Sequence, residues 1–309
     1  MTTITRLPRA GPPEPLPAEA LDSHTHLDML DQPVPVVLAE ARQAGITRVV
    51  TVGCDLESSR WAASCAAEHA GLYAAVAIHP NETAAAGSAG SDSSGGSGGS
   101  AGSGGWARSG GSAGSGSAAG LAGRDAVLAE IATLARLPRV RAVGETGLDY
   151  YRDSSPPQVQ RDWFRAHIEI AKRTGKALMI HDRDAHSDVL AILDEEGPPE
   201  HVIFHCFSGD ADLARRCASA GYVLSFAGTV TFSSATQLRE AAVATPADQL
   251  LVETDAPFLT PVPNRGKLNA PAQVAHTLRA VAELKQLDVA ELCGLVTATA
   301  ERVFGPWSD

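Results

Sequence analysis

Basic charge, aromatic mass and long apolar runs are all scarce in this chain of 309 residues. Lys and Arg number 25 against 36 Asp and Glu, a formal net charge of −11. That balance excludes a protein that grips nucleic acid through a broad basic face. It leaves room for a local site where cations offset substrate phosphates. Aromatic residues are 5% of the chain and apolar residues 44%, so packing falls to Ala, Val and Leu. No stretch approaches the ~18 uninterrupted apolar residues of a membrane span. The start, M-T-T-I-T-R-L-P-R-A-G-P-P-E-P, lacks the apolar centre of a secretory signal. The five cysteines (Cys54, Cys65, Cys206, Cys217 and Cys293) are odd in number and form no C-x-x-C pair. They read as reduced, buried thiols. The expectation is a cytoplasmic monomer with no membrane association.

Past a Pro-rich segment, residues 1–18, read as a flexible arm, apolar runs recur with helical patterns between them. The runs are Ala20–Ser23, Arg48–Gly53, Tyr73–Ile78, Val140–Gly144, Ala177–Ile180, Val202–Phe204, Tyr222–Phe226 and Leu250–Glu253. Several are continuous rather than alternating, as strands covered on both faces are. Helices are expected over Pro35–Ala44, Glu57–Ala70, Arg124–Leu137, Gln158–Thr174 and Asp210–Ala220. Four of these five precede a Gly (45, 71, 175, 221), a left-handed C-cap signal. Pro271 opens a further helix, and Asp288-x-x-Glu291 marks a capping box for one ending near Gly305. Alternation of this kind predicts a (β/α)8 TIM barrel occupying residues 19–309 as one domain. An open doubly wound sheet fits less well, because no G-x-G-x-x-G turn follows the first strand.

Thr83–Ala122 breaks the pattern with almost pure Gly, Ser and Ala. Such a segment cannot bury enough apolar area to offset its ordering entropy. It reads as a disordered insertion between strand 3 and its helix, since the alternation resumes in the same style beyond it.

Metal-type side chains stand at the ends of five of these runs. They are His24 and His26 on the first, Glu145 on the fourth, His181 on the fifth, His205 on the sixth and Asp255 on the eighth. In extended chain, residues i and i+2 point the same way, so His24 and His26 can reach one cation. Alone, each of these residues has a bland reading: a bonded strand terminus, an ion pair, a satisfied core His, a turn cap. A parallel barrel changes this, because it carries all its C-terminal strand ends to one rim. Six ligand groups there suit two divalent cations better than one, and a pair about 3.5–4 Å apart clamps the attacking and leaving oxygens of a phosphoester. Neighbouring polar residues are candidates for substrate contact: His79, Arg183, Ser208 and Arg265. For Arg183 the alternative is an ion pair with Asp182 or Asp184, for His79 a structural turn, and for Arg265 a solvated loop.

D-S-H-T-H-L-D, A-I-H-P, G-E-T-G-L-D-Y-Y, H-D-R-D-A, H-C-F-S-G and E-T-D-A-P follow in this order. As a set they resemble the TatD-related metal-dependent deoxyribonucleases, over roughly Leu21 to Phe304. The resemblance implies a barrel of the amidohydrolase-like superfamily using two divalent metals, often Mg²⁺ or Mn²⁺, with Zn²⁺ an option for this donor set. It implies hydrolysis of DNA phosphodiesters, commonly from the 3′ end; the acidic balance of the chain adds an expectation of single-stranded or frayed DNA. Carried onto this chain, it makes His24, His26 and Asp255 ligands of one metal and His181 and His205 ligands of the other. Glu145 then bridges both, and Asp255 orients the attacking water and takes its proton. Two departures stand out: the family's N-E-P stretch reads Asn269-Ala270-Pro271, and the long insertion is not part of the general pattern. The competing readings are hydrolysis of a small ester, lactone or amide, and a non-catalytic binding module. A Glu at the fourth strand, where some relatives carry a carboxylated Lys, favours the nuclease branch.

Overall fold

The computed structural model describes residues 7–88, 118–152 and 154–307. Eight strands lie in one sheet in the order β1 to β8. They are β1 Ala20–Thr25, β2 Ile46–Val52, β3 Leu72–Val76 and β4 Val140–Asp149, then β5 Ala177–Arg183, β6 Val202–Phe204, β7 Val223–Phe226 and β8 Leu250–Val252. Each pairs with the next in parallel. Their residues are buried almost throughout, which is why the runs in the sequence are continuous.

The barrel closes between β8 and β1, partly through side chains. Asp255 N donates to His24 O at 2.9 Å and His26 N to Ala256 O at 2.8 Å. Just below, Thr254 N and Thr254 Oγ1 both donate to the Asp22 carboxylate, at 2.8 and 2.5 Å. Ser23 Oγ donates to Val252 O at 3.0 Å. The expected TIM barrel is therefore the observed fold.

Helices wrap the outside: α1 Val34–Gln43, α2 Leu56–Glu68, α3 Thr83–Ser88, α4 Ala118–Leu134, α5 Pro157–Thr174, α6 His186–Glu196, α7 Ala211–Ser219, α8 Thr236–Ala244, α9 Val274–Lys285 and α10 Val289–Phe304. α5 shows how sequence sets position. Pro157 opens it, Gly175 closes it with φ 64°, and Trp163, Phe164, His167, Ile168, Ile170 and Ala171 form its buried stripe. His167 accepts from Ile78 N at Nε2 (3.3 Å), so its Nδ1 proton faces Thr146 Oγ1 at 2.9 Å. Burial drives this imidazole down to about 3, so it is a neutral tie between the ends of β3 and β4.

Four details differ from the sequence reading. Helices α6 and α8 were not expected: their N-caps, Ala185 and Ala235, offer no side-chain hydrogen bond, although α6 does end at a Gly of positive φ, Gly197. β4 runs on to Asp149 rather than stopping at Gly144, so Glu145 lies within the strand. The low-complexity bounds were too wide. Thr83–Ser88 and the first residues of α4 are helical, as their Ala content favours; residues 89–117 lie outside the described residues. Finally, part of the N-terminal arm is pinned. Leu268 N bonds Pro8 O, Ala10 N bonds Leu268 O, and Leu16 N bonds Ala44 O, with the Leu16 side chain buried. A two-way backbone ladder and a buried Leu outweigh the openness that a Pro-rich sequence suggests.

Candidate metal centre

β4 and β5 approach closely at the rim, and two glycines of G-E-T-G-L-D allow it. A Cβ on Gly144 would sit 2.5 Å from Met179 Cβ, and one on Gly147 would sit 2.1 Å from the His181 carbonyl oxygen. Gly147 also has φ 140°, a conformation that disfavours a side chain. The approach delivers Glu145 to the centre of the rim, 4% exposed.

The two carboxylate oxygens of Glu145 face different partners. Oε2 lies 3.5 Å from His24 Nε2 and 3.9 Å from His26 Nε2. Those two ring nitrogens are 3.3 Å apart, and Asp255 Oδ1 stands 3.7 and 3.3 Å from them. Oε1 lies 2.6 Å from His181 Nδ1, 2.7 Å from His205 Nε2 and 3.3 Å from His79 Nε2. Donors about 2.1 Å from a shared ion stand roughly 3.0–3.4 Å from each other. The spacing of both groups is close to that, so the residues fit divalent cations. All six expected ligands converge, and Glu145 is the member common to both groups.

Each of the four imidazoles has its far side engaged, which decides the nitrogen it presents; behind His24 Nδ1 stands Met179 Sδ at 3.1 Å. Val52 O holds His26 Nδ1 at 3.2 Å, and Glu253 Oε1 holds His205 Nδ1 at 3.1 Å. Asp149 Oδ2 holds His181 Nε2 at 3.3 Å, so that ring presents Nδ1. Carboxylates behind ligand imidazoles fix ring orientation and raise basicity. Glu253 also accepts from Cys206 N at 2.7 Å, and Asn81 Nδ2 donates to Asp149 Oδ2 at 2.9 Å.

These carboxylates were missed in the sequence, yet a signal existed. Glu253 precedes Asp255 by two and Asp149 follows Glu145 by four. Cys54 was also missed; its Sγ lies 3.7 Å from His26 Nδ1 and 3.9 Å from Glu145 Oε2.

The charges are arranged to hold the carboxylates ionised. Burial pushes Glu145 up, but His205, His79 and His181 win and hold it well below its ordinary range. Burial opposes charging of His205, yet Glu145 and Glu253 raise it well above 6.5. His181 is raised against burial by Asp149 and Glu145. Asp255 is held low by His26, His24 and His205, again against burial. His24 goes the other way: burial, then the stacked His205 ring 3.9 Å away, lower it.

His79 stands with Glu145 and His181 at metal-donor spacing but differs in the bond behind its ring. Its Nδ1 accepts from Asn81 N at 3.1 Å, so Nε2 carries the proton and points it at Glu145 Oε1. Burial brings it down to about 4. A neutral N–H donor inside the centre suits a substrate oxygen better than a cation.

The other expected substrate contacts lie around the rim. Asp182 pairs with His186 at 2.7 Å, which leaves Arg183 with no ion pair among the described residues. Its guanidinium lies 4.3 Å from the Tyr151 ring centroid. Arg265 lies likewise 4.4 Å from the Phe232 centroid. Ser208 is exposed and donates to Asp182 O at 3.2 Å.

Comparison with known proteins finds similarity to metal-dependent hydrolases. The chain is 42% identical over 294 residues to the uncharacterized metal-dependent hydrolase TatD of Mycobacterium tuberculosis, covering 92% of this chain and 97% of that one. It is 36% identical over 287 residues to the uncharacterized metal-dependent hydrolase YabD of Bacillus subtilis, covering 92% and 98%. In fold it is similar to YjjV, a TatD homologue of Escherichia coli, with a TM-score of 0.74 at 24% identity over 93% of this chain and 98% of that one. Residues 21–305 match the family described as TatD related DNase, and the chain belongs to that family.

Proposed function

We propose that this TatD-family metal-dependent hydrolase cleaves phosphodiester bonds of DNA, taking single-stranded or frayed ends from the 3′ side. The observation that carries the reading is Glu145, whose two oxygens face two separate donor sets. That arrangement suits two divalent cations sharing one carboxylate. Mg²⁺ or Mn²⁺ are the favoured occupants, with Zn²⁺ also accepted by such donors. When bound, such a pair lowers the pKa of water and offsets charge on a phosphoryl group.

The chain's own residues supply the rest. His24, His26 and Asp255 would hold one cation, and His181 and His205 the other. Asp255 is the most solvent-accessible of the first set, its side chain 16% exposed against 0% for His24 and 4% for His26. Ionised and reachable, it is placed to take a proton from the attacking water. His79 Nε2–H is a neutral donor for a nonbridging oxygen. Arg183, with no ion pair among the described residues, and Arg265 steady the phosphate. The 3′ polarity rests on the family resemblance. A net charge of −11 limits grip on long duplex, which favours short or frayed ends.

The test uses 3′- and 5′-labelled single-stranded oligonucleotides with Mg²⁺ or Mn²⁺, comparing the native protein with Glu145→Ala. Metal-dependent shortening from the 3′ end, lost in the variant, supports the reading. Equal cleavage by both proteins sinks it. No cleavage alongside turnover of a small ester or lactone reassigns the site to that substrate class.

A further inference from the structure

Large exposed aromatics are rare in this chain, and their positions are not scattered. Among the described residues, the large apolar side chains that stand exposed include two aromatics, Tyr151 at 65% and Phe258 at 42%. Tyr151 lies two residues beyond the end of β4, and Phe258 lies three residues after Asp255. Both therefore stand on the catalytic rim, on either side of the metal centre. The Phe258 ring meets the His26 ring edge-on, with centroids 6.3 Å apart. Tyr151 carries Arg183 over its ring, and Phe232, which follows β7, carries Arg265.

Two rings this exposed, both on the rim around the metal centre, offer apolar area to an occupant. A cation backed by an aromatic plane, beside further open rings, is how sequence-tolerant single-strand sites are built. Phosphate goes to the guanidinium and the base to the ring. Smooth duplex cannot use such rings, because its bases are already stacked on each other.

We propose that Tyr151 and Phe258 are base-stacking platforms flanking the metal centre, and that Arg183 and Arg265, each laid on an aromatic ring, hold the adjoining phosphates. Specificity for unpaired ends then comes from bases that are free to stack rather than from any contact that reads sequence. The inference rests on the nucleic-acid reading above for its substrate class, and on the placement of these side chains for everything else.

The test separates the two. Binding of a fluorescein-labelled thymidine octamer to the full chain is measured by anisotropy in Ca²⁺ buffer, beside the same backbone made of abasic residues. Stacking of this kind gives about 5- to 100-fold per base. The native protein is expected to prefer the octamer over the abasic backbone by at least that range. Phe258→Ala weakens octamer binding within it and leaves abasic binding unchanged; Tyr151→Ala, which also takes away the ring under Arg183, weakens octamer binding more than abasic binding, while Tyr151→Phe restores native affinity. Equal native affinity for both backbones overturns the proposal. So does an Ala variant that loses affinity for both alike. Cleavage is scored separately with Mn²⁺. Base-dependent binding without cleavage removes the nuclease reading and keeps the platforms. Cleavage with no base dependence does the reverse.

Discussion

The backbone amide of Asp255 donates to the carbonyl oxygen of His24 across 2.9 Å. These two residues belong to the last strand's exit and the first strand, yet one bond links them where the barrel closes. Directly below, the buried Asp22 carboxylate accepts from both the amide and the hydroxyl of Thr254, and from His24 N at 3.3 Å. The joint that completes the fold is thus also the joint that sets the spacing of His24, His26 and Asp255.

Asp22→Ala should therefore cost both stability and metal. Removing the acceptor strands buried donors of Thr254, and each such loss costs about 1–3 kcal/mol. A total loss of about 2–4 kcal/mol is expected in urea melts, with weaker metal uptake by titration. Asp22→Asn should stay within about 1 kcal/mol, because its amide oxygen still accepts from Thr254 N and its NH₂ can donate to Thr254 Oγ1. Burial already pushes the Asp22 carboxyl well above its ordinary value, so a neutral side chain is tolerated there.

Glu253→Gln tests the carboxylate behind His205. The amide keeps a bond to Cys206 N but no longer draws a proton onto the imidazole. Metal affinity of the second set should fall about 10- to 100-fold. Isothermal titration with Mn²⁺ reads this, while the thermal midpoint of the metal-free protein should shift far less than for Asp22→Ala.

His167 predicts an acid limb in stability. Its folded value, about 3, is depressed from an ordinary 6.5 by burial. The unfolded chain binds its proton first, so the contribution is complete above pH 6.5 and is lost as pH falls toward 3. At most it amounts to about 4–5 kcal/mol at the acid end. Urea melts of native protein and His167→Gln across pH 7 to 4 check this. The variant should start less stable and show the shallower slope.

Metal removal should loosen the whole barrel. Cations bind only where the rim is assembled, so occupancy at 100 times Kd adds about 2.7 kcal/mol to the folded state. Treatment with EDTA should lower the thermal midpoint, and Mn²⁺ should restore it. An unchanged midpoint would count against cations held by residues of β1, β4, β5 and β6 together.

Much of this centre is legible in the chain itself. Continuous apolar runs locate the strands, and a parallel barrel then dictates that His24, His26, Glu145, His181, His205 and Asp255 meet. What the runs hide is which nitrogen each imidazole presents. That depends on Val52 O and Asp149, which come from neighbouring strands, and on Glu253, which comes from two strands away. Glu253 reads as one more strand residue until it is seen reaching past β7 to His205 and Cys206. His79 looked equally suited to a turn or a substrate; only the bond from Asn81 N shows that its proton faces inward. α6 and α8 escaped notice because Ala at their N-cap positions leaves no start signal in the sequence.

The close approach of β4 and β5 has a further consequence. Any side chain at Gly144 or Gly147 would drive β4 away from Met179 or the His181 carbonyl. Glu145 sits between those two positions, so its reach is governed by residues that have no side chains at all. Activity at this rim should be far more sensitive to a methyl group at either glycine than to conservative changes among the charged residues nearby. The tolerance map of the protein would then be inverted there, strictest where the chemistry is absent.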